Sequence, residues 1–322
     1  MLADAGEIAG GATGKAMGGV RQQFSTEAEV RLAQASLPLF RELGAPLFDP
    51  VGYLFLATTE AGAEELRDRA ARQRDLGVPV EDADAAAVPG LRAGDVLAAV
   101  ACWEDAIADP AGVTRELVRR AAGRGVEVRE RTDALALDAD VLVVACGARS
   151  AAVAAERGVE LPVRPLVRQL AEVGPVPGVA ERLPMVIESE TGFHFRRAGD
   201  GLRLASPEPA PRWGDREEVD ASLVDEWRER AAWRHPSSAG APVARAWAGL
   251  YDMTPDAHPI VGPVGDGVYA ACGFSGHGFM QSPAVGAAVA AELLGVEPPV
   301  DLAPYRLERF ARGAVFPETV VL

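Results

Sequence analysis

One stretch near the carboxyl end of the chain constrains the fold more than any other. Residues 269–286 begin as a short apolar run, open into a glycine-rich loop and continue as a helix that contains Pro283 and is stopped by Gly295. Proline is tolerated near a helix start, because the first amide protons have no partner there. Glycines before a helix allow a ligand to approach, and the free N–H groups favour negative charge. The stretch predicts either an anion-binding helix start or a Gly-rich turn before a packed helix.

Composition limits the partners that the chain can have. The 322 residues suffice for one large domain or two ordinary ones, and 47 acidic against 32 basic residues give a net charge of −15. This charge argues against nucleic acid or an anionic membrane as a partner. The sequence shows neither a run of the ~18 apolar residues that a membrane helix needs nor a signal-peptide pattern. We therefore expect a cytoplasmic protein.

The cysteines and histidines do not form a recognisable metal or disulfide pattern. Cys102, Cys146 and Cys272 are far apart, and none lies in a C-x-x-C pair. The four histidines are scattered without metal-ligand spacing. We expect no metal site and no disulfide framework.

The amino-terminal part is unusual for its glycines. Five glycines lie between residues 10 and 19, which suggests backbone packed against something large and flat, or else a floppy tail. Arg21 follows as a candidate ligand contact or a solvated surface group. Thr26 and Glu29 then form a plausible capping box for a helix that ends at Gly44.

The middle of the chain alternates between strand and helix signals. Residues 51–57 predict a strand, and Thr59 can cap a polar surface helix from about 60 to 76. Residues 103–110 indicate a turn, 112–122 a helix and 125–130 a strand. The β-branched run at 141–145 has no alternation, which predicts a strand buried on both faces of a parallel sheet. Gly147 lies at its carboxyl end, where ligands bind in such sheets.

The next segment changes character. Between residues 161 and 247 the short strands and turns are typical of an antiparallel sheet, with a helix from about 219 to 232. The predicted strands are 163–173, 185–188, 192–196 and 202–205. Parallel βα units at both ends and an antiparallel insert predict a two-domain α/β plus α+β enzyme.

Four stretches in this order carry a resemblance to a known family. They are residues 10–24 (GGATGKAMGGVRQQF), 139–147 (ADVLVVACG), 254–262 (TPDAHPIVG) and 273–279 (GFSGHGF). Together they resemble the D-amino-acid-oxidase/sarcosine-oxidase family of FAD-dependent oxidoreductases over essentially the whole chain. The resemblance implies oxidation of the C–N bond of a small amino acid or N-methyl amino acid, with hydride transfer to flavin N5 and hydrolysis of the imine.

The resemblance also implies a domain division. An α/β FAD-binding domain with a Rossmann-like parallel sheet would comprise residues 1–47, 107–160 and 256–322. An α+β substrate domain with a mainly antiparallel sheet would comprise residues 48–106 and 161–255.

The family pattern assigns roles to particular positions. The implied cofactor contacts are Asp4 at the ribose, Gly11, Thr13, Gly14 and Lys15 along the cofactor, Arg21 near the flavin, Gly147 beside the pyrophosphate or ribityl chain, and Gly276, His277, Gly278 and Phe279 at the flavin pyrimidine edge. Tyr251 and the strand at 192–196 would face the substrate, and His194 is a candidate contact. His277 acts through its side chain or through its backbone alone. Arg164, Arg168, Arg196 and Arg245 are alternatives for binding a substrate carboxylate.

The chain departs from the family pattern in three places. The family begins with a strand and a G-x-G-x-x-G loop, whereas this sequence resembles the family only from the end of the second strand. We expect a misplaced start, a fragment or a degenerate homologue, with weak or no FAD binding. The segment 131–139 is shorter than in the family. Gly249 stands where some sarcosine oxidases tether flavin through a cysteine, so FAD binding is predicted to be noncovalent. The alternative function is a catalytically silent homologue, or a subunit that needs a partner to supply the strand and phosphate loop.

Overall fold

The computed structural model of the chain describes residues 1–321. The helices are α1 (Glu27–Leu43), α2 (Glu60–Asp75), α3 (Pro110–Ala122), α4 (Ser150–Ala155), α5 (Ala221–Arg234), α6 (Gly278–Leu293) and α7 (Glu308–Ala311). The strands are β1 (Leu2–Ala3), β2 (Gly19–Val20), β3 (Phe48–Asp49), β4 (Tyr53–Ala57), β5 (Glu81–Asp82), β6 (Ala98–Cys102), β7 (Ala106–Ala108), β8 (Val128–Arg129), β9 (Leu142–Val144), β10 (Arg164–Val173), β11 (Met185–Glu188), β12 (His194–Ala198), β13 (Gly201–Ala205), β14 (Val243–Met253), β15 (Ile260–Gly265) and β16 (Val268–Cys272). No helix in this described part is long and apolar enough to cross a membrane.

The largest sheet has eight strands in the order β14-β10-β13-β12-β11-β4-β6-β5. Every neighbouring pair is antiparallel except β4 and β11, which run parallel. One face packs against α5 around Trp227 and the other packs toward α1 and α6 around Phe24 and Met280. The expected mainly antiparallel sheet is confirmed, and its second face is the one that carries the candidate site.

The remaining strands form three smaller sheets. β1 pairs in parallel with β8, and β9 pairs in parallel with β16, which is antiparallel to β15. β7 lies between β2 and β3 and is antiparallel to both. The prediction of a turn at 103–110 is therefore wrong for Ala106–Ala108. The partners of that strand lie far away in sequence, so local turn signals could not show the pairing.

The run at 141–145 forms the strand β9, but the prediction that both its faces are buried is wrong. Val144 is completely buried, whereas Val141 and Val143 are 43% and 37% exposed. Helix α4 and its neighbours cover the face that carries Val144. Val141 and Val143 lie on the opposite face, because alternate residues of a strand point to opposite sides, and that face stays partly exposed.

The two predicted helix caps form locally as expected. Thr26 Oγ1 accepts from the Glu29 N–H at 3.4 Å, and Thr59 Oγ1 accepts from the Gly62 N–H at 3.0 Å. The reciprocal half of the capping box is not formed. The Glu29 carboxylate instead binds His258 and Gln281, because this residue is completely buried against α6.

Candidate functional site

The loop that precedes α6 is held in an unusual conformation. Gly273, Ser275 and Gly276 have φ values of +77°, +52° and +96°, and Ser275 is a buried non-glycine residue in the left-handed region. Its N–H donates to the Asp252 carbonyl at 3.1 Å, and its Oγ accepts from the Thr254 N–H at 3.2 Å. These bonds to the end of β14 fix the place where α6 begins.

Glycine is required at position 276 by close packing. A Cβ there would lie 2.3 Å from Cε2 of Tyr251, so the tyrosine ring rests directly on the backbone. A Cβ at Gly278 would lie 3.0 Å from the Phe274 side chain. The first turn of α6 therefore starts beside the ring of Tyr251, and the free N–H groups of that turn carry partial positive charge.

Arg21 and His277 form a buried pair next to this helix start. The Arg21 Nη2 lies 3.4 Å from His277 Nε2 and also donates to the Val320 carbonyl at 2.5 Å. The guanidinium lies over the Phe24 ring, with Cζ 4.2 Å from its centroid. Burial lowers the pKa of His277 well below its usual value, and the Arg21 charge lowers it further. His277 is therefore neutral, and its buried Nδ1 has no hydrogen-bond partner among the described residues.

His194 lies on β12, on the sheet face that points to this pair. Its Nδ1 donates to the Gly192 carbonyl at 2.8 Å, so Nε2 is the acceptor of the neutral ring. Burial lowers the pKa of His194 to about 4, and the charges of Arg21 and Arg168 act in the same direction. Burial raises the pKa of Tyr251, against the opposing charges of Arg168 and Arg21. Two neutral rings are thus flanked by two guanidinium groups.

Strand alternation explains why these side chains meet. On β14, Tyr251 and Gly249 are two residues apart and pair with Leu166 and Arg168 of β10, which are also two apart. Residues two apart on a strand share a face. The structure therefore brings together Tyr251, His194, Arg21 and His277 of the predicted set, and it adds Arg168, which the sequence left as one of four alternatives.

One side chain at this site has no signal in the sequence. Tyr53 on β4 is buried, and its hydroxyl lies 1.7 Å from the position that a Cβ of Gly19 would take. Burial raises the pKa of Tyr53, while the charge of Arg21 lowers it, so the phenol faces the buried pair. Tyr53 stands in an apolar run, and nothing in that run distinguishes it from a core residue.

The predicted glycine loop packs on the edge strand β14 of the large sheet. Residues Ala12–Lys15 form a 3-10 turn, and a Cβ on Gly14 would lie 2.3 Å from the Ala9 carbonyl, so only glycine fits. The Lys15 side chain forms an ion pair with Glu217, and its carbonyl accepts from Trp247 Nε1 at 2.9 Å.

Thr13 and Gly11 are the other predicted residues of this loop. Thr13 is half-buried and Gly11 is exposed, with open space where its Cβ would be. Neither position shows a contact that assigns a role.

Asp4 and Gly147 lie just after the ends of strands β1 and β9, respectively. The exposed Asp4 carboxylate accepts from the Gly6 N–H at 2.7 Å, and its charge contributes to a raised pKa of the Cys146 thiol, after burial. Asp4 is therefore near the carboxyl end of β9. Gly147 begins the turn after β9 with φ +53°, and its Cβ position is open.

Residues 1–292 of the chain match the DAO family, which is described as FAD dependent oxidoreductase. The chain belongs to this family. FAD-dependent oxidoreductase domain-containing protein 1 of Bos taurus is 30% identical over 379 residues, which cover 95% of this chain and 77% of that protein. Glycine oxidase of Geobacillus kaustophilus is 27% identical over 339 residues, which cover 94% of this chain and 89% of that protein.

Solved structures of this family share the fold. The crystal structure of L-proline dehydrogenase from P. horikoshii matches with a TM-score of 0.87 and 25% sequence identity, over 95% of this chain and 90% of that chain. The predicted fold class, a parallel FAD-domain sheet plus a mainly antiparallel substrate-domain sheet, is thereby confirmed.

The residues of this DAO-family chain fit the flavin end of the cofactor. The first turn of α6 offers free N–H groups, and His277 adds a buried unpartnered nitrogen. The backbone at Gly11 and Gly147 faces open space, which leaves room for a flat group. The chain has no G-x-G-x-x-G motif, so its fit to a pyrophosphate rests on fewer residues.

Proposed function

We propose that this chain oxidises the C–N bond of a small amino acid or N-methyl amino acid with FAD as the cofactor. The observation that carries the proposal is the group of neutral His194 and Tyr251 rings, set between two guanidinium groups and facing the start of α6. Glycine oxidase and L-proline dehydrogenase, to which the chain is similar, are named for amino-acid substrates. When bound, the flavin supplies a hydride acceptor at N5.

The first turn of α6 stabilises negative charge on a group bound there. Gly276, Gly278 and Phe279 contribute through main-chain N–H groups and the helix dipole, which act most strongly where water is excluded. The His277 N–H already donates to the Phe274 carbonyl at 2.9 Å. The buried, neutral His277 adds no positive charge of its own. Its proposed role is therefore to shape the helix start.

His194 positions the substrate rather than removing a proton. With a pKa of about 4 it is too weak a base to hold a proton at neutral pH, and a general base works best with a pKa near the working pH. Its Nε2 can accept a hydrogen bond from the substrate nitrogen. The raised pKa of Tyr251 keeps its phenol protonated and able to donate.

We further propose that FAD binds without a covalent bond. Cys102 and Cys272 are buried, and burial raises the pKa of the Cys272 thiol to about 12. Burial also raises the pKa of Cys146, the exposed cysteine. A thiol that stays protonated is a poor nucleophile. Gly249 occupies the position of the tethering cysteine of some sarcosine oxidases.

A specific observation supports the second candidate, a chain that needs a further strand to hold FAD. β9 is the terminal strand of its three-stranded sheet, and β1 pairs only with β8 among the described strands. Unpaired strand edges invite pairing with another chain. In that case the phosphate side of the site requires a strand and loop from elsewhere.

The test measures FAD binding and reduction separately. The purified chain is titrated with FAD, and then, at saturating FAD without oxygen, with a panel of amino acids and N-methyl amino acids. We expect weak FAD binding and bleaching of the flavin by at least one member of the panel. If saturating FAD binds and no member bleaches it, the oxidation proposal is wrong. FAD binding that tightens only when a strand-and-loop peptide is added supports the second candidate.

A further inference from the structure

Two cysteines that are far apart in the sequence come together at the carboxyl end of the sheet that contains β9. The parallel strands β9 and β16 pair Val144 with Ala270. Cys146 and Cys272 each stand two residues further along the chain. Continuing the register by two residues brings the cysteines side by side, because neighbouring strands lie about 5 Å apart. Their side chains extend the face that carries Val144 and Ala270, since residues two apart share a face.

One serine contacts both cysteines. The Oγ of Ser150 accepts from the Cys146 N–H at 3.1 Å. The same hydroxyl hydrogen-bonds to the Cys272 thiol, where it lowers the pKa against the larger opposing effect of burial, and Cys146 also acts on that thiol electrostatically. Ser150 is completely buried at the start of α4, so the fold holds this arrangement in place.

The two cysteines differ in their access to solvent. Both are free thiols, but Cys146 is exposed whereas Cys272 is buried. A disulfide needs Cα atoms about 4.4–6.8 Å apart, and the spacing between neighbouring strands lies within that range. The third cysteine, Cys102, is buried on β6 of the eight-stranded sheet. An oxidant from solvent therefore reaches Cys146 first, and Cys272 is the thiol beside it.

We propose that Cys146 and Cys272 form a site of reversible oxidation, at which hydrogen peroxide produces an intrachain disulfide. The Cys146 sulfur attacks one peroxide oxygen, the O–O bond breaks, and a sulfenic acid and water form. The Cys272 sulfur then attacks the sulfur of that sulfenic acid. The S–S bond forms, the S–O bond breaks, and the hydroxyl leaves as water with the Cys272 proton. Two thiols thus lose two electrons, and one peroxide is reduced to two waters.

The surroundings set the rate and the product of this reaction. Burial raises the pKa of both thiols, and the Asp4 carboxylate raises that of Cys146 further. The thiolate is the reacting form, so oxidation is slow at neutral pH and accelerates as the pH rises. Since Cys272 stands beside Cys146, the second step is intramolecular and outpaces further oxidation of Cys146. The bond then ties the turn at Gly147 to the loop that begins at Gly273.

Oxidation of the purified full chain, without added FAD, tests the inference. The wild type, Cys146→Ser, Cys272→Ala and Cys102→Ser are treated with hydrogen peroxide at about pH 8 and about pH 9. Remaining thiols are counted, and cysteine peptides are identified by mass spectrometry before and after dithiothreitol. We expect the wild type to fall from three thiols to one, with a mass lower by two hydrogens and a linked Cys146–Cys272 peptide that dithiothreitol separates. The reaction should be faster at the higher pH.

The variants and the unfolded chain are the controls. Cys102→Ser should form the same bond, whereas Cys146→Ser and Cys272→Ala should form none. The urea-unfolded wild type should also give pairs that contain Cys102, because the fold no longer selects the partner. The inference is overturned if the folded wild type keeps all three thiols under conditions that oxidise a free cysteine peptide. It is equally overturned if Cys146 only gains oxygen atoms, or if Cys102 enters the bond in the folded chain.

Discussion

The two faces of the eight-stranded sheet share one set of strands and differ in the polar side chains that they bury. Around β12 the chain alternates between them. Phe193 and Phe195 are completely buried against the Trp227 side of the sheet, while His194 between them points to the opposite face. The first face, here called the apolar face, packs apolar side chains around α5. The second, here called the polar face, packs an apolar cluster that includes Phe55 and Ile187, and it also carries Arg168 with unpartnered donors and His194 with a lowered pKa.

This difference shows how the fold remains stable although it buries polar groups at the site. Burying polar groups without full compensation destabilises a fold by amounts comparable to its total stability. Apolar clusters on both faces supply the opposing free energy through close-packed side chains of the same strands. Along β12, packing and chemistry are thus separated by strand alternation, not by distance along the chain. Substitutions of Phe193 or Phe195 should change unfolding, and substitution of His194 should change the pH dependence.

The largest expected effect lies on the apolar face. Phe195→Ala removes a ring that is fully buried, with its centroid 6.0 Å from that of Phe193. We expect a loss of about 3–5 kcal/mol in the free energy of unfolding, from lost transfer energy and the cavity left behind. Denaturant unfolding measures it. Val243→Ala, at a 39% exposed position on β14, serves as the control and should change stability little. A loss below about 1 kcal/mol for Phe195→Ala would contradict the division between the faces.

On the polar face, we expect His194 to make the free energy of unfolding depend on pH. The folded-state pKa of His194 is about 4 against an ordinary value of 6.5, so between these values the unfolded state binds more protons. Stability therefore falls as the pH drops from 6.5 toward 4, by about 3 kcal/mol if each tenfold change is about 1.4 kcal/mol. His194→Gln should flatten this slope in denaturant unfolding at a series of pH values.

Other buried groups contribute to the pH dependence in the same range, among them His277, whose pKa is lowered, and Asp105. Burial raises the pKa of Asp105 to about 6 from 3.8, so it contributes stability at low pH that is lost as the pH rises through 6. Its contribution is the same in the wild type and in His194→Gln, and it cancels in their difference. Identical slopes in the two proteins would show that His194 is not held neutral by burial.

The same contrast explains what could be predicted from the sequence. The sequence correctly predicts Thr26 and Thr59 as helix caps, because a cap depends on residues only three positions away. The exposure of Val143 could not be predicted, because it depends on which elements cover a face. Arg168 and Arg196 look alike in sequence, and only tertiary contacts leave one without partners and satisfy the other. The sequence does not indicate Tyr53 as a site residue, because only tertiary contacts place it near Arg21.

The smallest expected effect concerns Gly276, where the polar face of the sheet contacts the loop before α6. Gly276 has φ +96°, and a Cβ there would lie 2.3 Å from the Tyr251 ring, so Gly276→Ala should cost about 1–3 kcal/mol and displace the ring. Gly286→Ala is the matched control on α6, where the Cβ meets nothing within 4 Å, and it should stabilise by about 0.5–1 kcal/mol. Thermal unfolding is measured for both. If Gly276→Ala is as stable as the wild type, the Tyr251 ring does not rest on the backbone at this position, and the contact between the sheet and the start of α6 is not tight.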